Sequence, residues 1–187
     1  NENMFNTLSN ELSKIKRLTK DEDEYIQTMQ YLRKLELLHQ VGKFKEADNL
    51  AKEVENFISI RKSFQNYYMI RHLQLLIIRA FIENNNFLAA IKISQKKYIA
   101  ISYEFNCSMF KLFEFIAHYK LSNFDNLIYS IDSWTKTIRS KRKQFPIEKI
   151  LIKFFRSVCN KTTVQEKNQL ISNTINQLNE LEKTNLK

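Results

Sequence analysis

One glycine and one proline, Gly42 and Pro146, punctuate all 187 residues of this chain. Tight hairpins need residues that accept a positive φ, and phosphate-cradling loops need several glycines in one short run. A chain with a single glycine therefore excludes β-sandwiches, Rossmann folds, P-loops and the nucleophile elbow of serine hydrolases. Hydrophobic residues make up 43% and aromatic residues 12%, which is too apolar for wholesale disorder and points to a folded, all-α chain.

Apolar spacing supplies the helices. Met4, Phe5, Leu8, Leu12 and Ile15 form one stripe over residues 3–17. Thr19 followed by Glu22 reads as a capping box, and the acidic run Asp21 to Glu24 suits the positive end of a helix dipole. A helix is thus expected from about Lys20 to Val41, where Gly42 can take the left-handed conformation that ends it. Phe44, Ala47, Leu50, Ala51, Val54 and Phe57 open a second stripe at once, and so short a turn forces the two helices antiparallel. The same order returns as helices from about Ser63 to Glu83 and Phe87 to Ser102, then about Tyr103 to Leu121 and Phe124 to Lys143. A fourth pair begins at Pro146, which suits a first helical turn, and a second capping box at Thr163 and Glu166 opens the last helix. That helix is polar at Asn168, Asn173, Asn176, Asn179 and Glu180 and reads as a cap; about nine helices result.

The turns repeat as well. Gly42-Lys43-Phe44-Lys45-Glu46-Ala47, Asn85-Asn86-Phe87-Leu88-Ala89-Ala90 and Ser122-Asn123-Phe124-Asp125-Asn126-Leu127 each place an aromatic two positions after a turn former and a small or apolar residue three positions later. The aromatic is expected to plug the corner between helices and the small residue to let them approach. These turns resemble those of the tetratricopeptide repeat, which read Gly-polar-aromatic-x-x-Ala. The resemblance covers roughly residues 25–143, with phenylalanines 43 and 37 residues apart against the family's usual spacing of about 34. It implies a right-handed α-α superhelix of about four antiparallel pairs plus an N-terminal helix. The repeat units fall at about 20–62, 63–102, 103–145 and 146–183, within a single domain over 1–187. Antiparallel hairpins that are apolar on both sides bury those faces by stacking on one another.

Charge narrows the function. Of 30 basic and 20 acidic side chains, residues 63–160 hold 15 and 6, so nearly all of the +10 excess lies in the middle. Such a segment attracts nucleic acid, an anionic membrane or an acidic protein. Lysine outnumbers arginine 22 to 8, which weakens the case for phosphate-fork and base recognition. Arg139, Lys141, Arg142 and Lys143 form the densest basic cluster, at what reads as a helix C-terminus where cations are favoured. Lys149, Lys153 and Arg156 give the Pro146 helix a basic face suited to a membrane surface, although its apolar side is needed to close the array. Trp134, between Ile131 and Ile138, reads as inter-helix packing.

Chemistry has little to stand on. His39, His72 and His118 are dispersed, Cys107 and Cys159 lie 52 residues apart, and neither set has metal-ligand spacing, so no catalysis, metal or cofactor is expected. The cysteines read as reduced thiols in a cytoplasmic protein. No apolar run approaches the length of a membrane span. The start, Asn-Glu-Asn-Met, lacks both an initiator methionine and the order of a signal peptide, which implies a piece of a longer protein. In tetratricopeptide proteins the first helix of each pair lines a groove that receives a partner segment. Carried onto this chain, that would place Glu36 and His39, then His72, Arg79 and Glu83, then Tyr119 and Lys120 in such a groove. The expected function is a non-catalytic protein-interaction scaffold. The alternative is a nucleic-acid-binding helical repeat that uses Arg139, Lys141, Arg142 and Lys143. Self-association is a third possibility, because an unfinished solenoid end exposes apolar surface.

Overall fold

The computed structural model describes residues 7, 11, 19–60, 67–95, 105–141, 143–161 and 163–185. Among these, every regular element is a helix: α1 (Lys20–Gln40), α2 (Phe44–Ile60), α3 (Tyr67–Glu83), α4 (Phe87–Ser94), α5 (Phe105–Lys120), α6 (Phe124–Lys141), α7 (Pro146–Cys159) and α8 (Val164–Asn185). The fold is all-α. The expected N-terminal helix lies outside the described residues except for Thr7 and Glu11, both helical. Helix α4 runs Phe87–Ser94 with Gln95 in a turn, and the rest of the helix expected to Ser102 lies outside the described residues, as do the expected helix starts at Ser63 and Tyr103.

Helix starts follow one chemical device. At α1 the Glu22 amide donates to Thr19 Oγ1 at 3.2 Å and the Thr19 amide donates to Glu22 Oε2 at 3.0 Å, which completes the capping box. At α8 the Glu166 amide and Thr163 Oγ1 stand 3.2 Å apart, and so do the Thr163 amide and Glu166 Oε2. These bonds, together with Lys161, hold the Glu166 carboxyl below its ordinary value. At α7 Pro146 occupies the first turn and Glu148 Oε2 accepts from the Phe145 amide at 2.8 Å. Phe145 has no acceptor to return, so α7 carries half of the box.

The three turns between paired helices are copies of one another. Gly42, Asn85 and Ser122 have φ of 73°, 60° and 55°. The amide of each donates to the carbonyl three residues back, on His39, Ile82 and Tyr119, and the following amide reaches five back, to Leu38, Phe81 and His118. This is the Schellman motif, three times over. The next helix then begins with Ala47, Ala90 or Leu127 donating to Lys43, Asn86 or Asn123.

Those last three residues are fully buried, as the pattern of small or apolar residues predicts. The aromatic does not plug the corner at the first turn: Phe44 is 41% exposed, while Phe87 and Phe124 are half-buried. At this first turn the ring two positions past the left-handed residue lies on the outer edge of the new helix, whereas Phe124 packs against the core of its unit. The residue one turn later points inward and fills the corner.

The chain divides into two compact units, Asn1–Ile93 and Ser94–Lys187, with the boundary inside the segment 63–102. In the first, α1 packs against α2 and α3, and α2 also packs against α3. With neighbours on two sides, α3 is apolar around most of its girth, and Ile70, Leu73, Ile77, Ile78 and Phe81 are buried. In the second unit α5 packs against α6 and α7, α6 packs against α7, and α8 lies on α7. Its core joins Phe115, Leu127, Ile131, Trp134, Ile138 and Phe155, with Phe115 and Phe155 edge to face at 5.6 Å. Trp134 is therefore a packing residue. On α8, Leu170, Leu178 and Leu181 are half-buried, whereas Ile171 and Ile175 are exposed. In both units the first helix of a pair touches its partner and the next first helix, and the partner touches that helix too.

Candidate functional site

Helices α1 and α3, the first helices of successive pairs, pack side by side in the first unit, and the polar residues along their shared edge meet in two rungs. In one, Glu36 Oε1 lies 3.3 Å from His72 Nε2 while Arg33 donates to Glu36 Oε2 at 2.8 Å. In the other, His39 Nδ1 lies 2.6 Å from Glu83 Oε2 and Arg79 Nε donates to Glu83 Oε1 at 2.7 Å. His39 Nε2 is also 3.2 Å from the Leu76 carbonyl oxygen, so both ring nitrogens face an oxygen of α3.

Five residues singled out in the sequence, Glu36, His39, His72, Arg79 and Glu83, are thus brought together, and Arg33 joins them. Their exposure divides the labour. The His39 side chain is 2% exposed and works as a buried tie between the helices, whereas His72 at 56% and Arg79 at 48% face solvent. Chemically this edge is a row of alternating carboxylate, imidazole and guanidinium groups, suited to hydrogen-bonding polar groups of a polypeptide.

Tyr119 and Lys120 lie in the second unit. Tyr119 is half-buried, its ring centroid 6.1 Å from that of Phe124, and Lys120 is exposed as the last residue of α5. Behind them α5 and α6 share a buried polar tie that the sequence pattern did not signal. Glu114 Oε1 accepts from Ser130 Oγ at 2.6 Å and Oε2 from Lys111 Nζ at 2.8 Å, with His118 Nε2 4.0 Å from Oε1. Burial holds the His118 imidazole below its ordinary value, against the raising effect of Glu114 and with a smaller lowering by Lys111.

Of the basic cluster, Arg139 is exposed on α6 and Lys143 is exposed beyond it, while Arg142 and the side chain of Lys141 lie outside the described residues. Arg139 instead shares a groove of about 350 Å³ between α6 and α7 with Lys149, Lys153 and Arg156. Antiparallel packing makes that grouping, by setting the end of α6 beside α7.

Among the described residues, no three or more His, Cys, Asp and Glu side chains converge to hold a metal ion, and no helix is long and apolar enough to cross a membrane. No family model, curated protein or solved structure matches the chain. The class it belongs to is set by its own architecture: an all-α protein.

Proposed function

We propose that this chain is a non-catalytic scaffold, a tetratricopeptide-like helical repeat that holds a segment of a partner protein along the first helices of its pairs. The observation that carries the reading is the threefold recurrence of one turn, with left-handed Gly42, Asn85 and Ser122 making the same hydrogen bonds. The recurrence of one turn at spacings of 43 and 37 residues supports a repeat, and stacked repeats offer extended surfaces for binding. The α1/α3 edge, with exposed His72 and Arg79 braced by Glu36 and Glu83, is the part of that surface richest in polar groups held in place by neighbours.

The test is affinity purification of the protein from its own cells, with and without nuclease, followed by mass spectrometry. A stoichiometric protein that survives nuclease and is lost on Arg79→Ala or Tyr119→Ala supports the scaffold. Recovery that vanishes with nuclease supports the alternative, a nucleic-acid-binding repeat that uses the basic middle segment.

A further inference from the structure

The α6/α7 groove gathers Arg139, Lys149, Lys153 and Arg156 around a floor that includes Ile152. Among the described residues one carboxylate pairs with them: Asp132 Oδ1 lies 2.5 Å from Arg156 Nη2. Arg139, Lys149 and Lys153 make no ion pair and no side-chain hydrogen bond with a described residue. The nearby carboxylate of Glu148 is buried and turned to the Phe145 amide.

This arrangement works against the stability of the helix that carries it. Lys149 sits in the first turn of α7, at the positive end of the dipole, where a cation is disfavoured. Lys149 and Lys153 are four residues apart on one face, where like charges repel. Arg156 continues the stripe one turn on. An anion laid in the groove relieves all of these costs together.

We propose that the groove binds an extended acidic segment of a partner protein, its alternate carboxylates pairing with Lys149, Lys153 and Arg139. This rests on the scaffold reading and names the partner's chemistry at one surface. Two features favour a peptide over a nucleic acid. Four residues of helix rise about 6 Å, close to the roughly 6.6 Å between alternate side chains of an extended strand, so a Glu-x-Glu rhythm matches the Lys149–Lys153 step. The groove's lining is aliphatic, hydroxylic and cationic with one carboxamide, Gln144, which attracts phosphates but offers bases no aromatic ring to stack on.

The experiment is a fluorescence-anisotropy titration of the whole 187-residue chain with a labelled peptide of alternating glutamate and serine, beside a labelled oligothymidine. The peptide is expected to bind more tightly than the oligonucleotide and to lose about tenfold or more in affinity between about 50 and about 300 mM salt. The double variant Lys149→Glu with Lys153→Glu is expected to weaken it about tenfold or more, and Lys34→Glu, an exposed lysine on α1, to leave it unchanged. Circular dichroism of each variant confirms that the helices remain. Peptide binding indifferent to the double variant overturns the proposal, as does tighter oligonucleotide binding through the same lysines, or no peptide binding at low salt. Failure here leaves the Arg79 and Tyr119 dependence of partner recovery intact, so the two readings fall separately.

Discussion

Ser122 gives the sharpest test of the repeated turn, because it holds a left-handed φ of 55° where the first turn has glycine. An L-residue there is strained by about 1–2 kcal/mol. Glycine is free of that strain but adds about 0.5–1 kcal/mol of unfolded-chain entropy to be lost on folding. Ser122→Gly should therefore stabilise the second unit by about 0.5–1 kcal/mol. With a urea dependence of about 1–3 kcal/mol/M, the midpoint rises by roughly 0.2–1 M. Trp134, the only tryptophan in the chain, sits in the core of the same unit, so its fluorescence reads the transition directly. Gly42→Ser is the mirror experiment. A Cβ at Gly42 meets nothing within 4 Å, so the dihedral alone sets the loss, and circular dichroism should show a fall of similar size. Asn85→Gly should gain less, since asparagine tolerates this conformation. An unchanged or lowered midpoint in Ser122→Gly would refute the left-handed turn at 122 and with it the equivalence of the three turns.

Three further outcomes are expected. Because burial places the folded-state value of His118 below its ordinary 6.5, the unfolded chain takes the proton first as pH falls. Stability present above that value should then be lost on acidification, at up to about 1.36 kcal/mol per pH unit, and His118→Gln should flatten the dependence of the Trp134 urea midpoint between pH 7 and 5. Glu83→Ala strands the buried His39 and frees Arg79, and a loss of about 1.5–3 kcal/mol in urea unfolding followed by circular dichroism is expected. Burial raises the Cys159 thiol above its ordinary value, so in a Cys107→Ser background a thiol reagent at neutral pH should label the folded protein far more slowly than the unfolded one.

The helices were legible where a local device announces them. Thr19 with Glu22, Thr163 with Glu166, Pro146 and Gly42 each act within one turn of backbone, and each is found in the role its chemistry dictates. Packing was less legible. Phe44 resembles a corner plug in the sequence because a large ring is expected to be buried, yet its place on the helix leaves it outside while Ala47 goes in. Glu114, Ser130 and His118 were missed for a related reason. Each is one polar residue among several in an amphipathic helix, and only the packing of α5 on α6 brings Ser130 to the buried carboxylate of Glu114.

The two polar surfaces differ in how the sequence encodes them. The α1/α3 rungs follow from the recurring turn: Gly42 and Asn85 end their helices in the same way, and His39, three residues before one, meets Glu83, two before the other. Aligning the turns aligns the partners. The α6/α7 groove follows no such register. Arg139 reads as a helix end and Lys149, Lys153 and Arg156 as the wet side of a core helix, and each explanation is adequate for one residue at a time. Electrostatic potential adds over neighbours, however, and four cations facing one carboxylate in a common groove make a field that none of them makes alone. If the groove holds an anion, that attraction should fade with salt as a unit, and reversing either Lys149 or Lys153 should weaken the hold of the others.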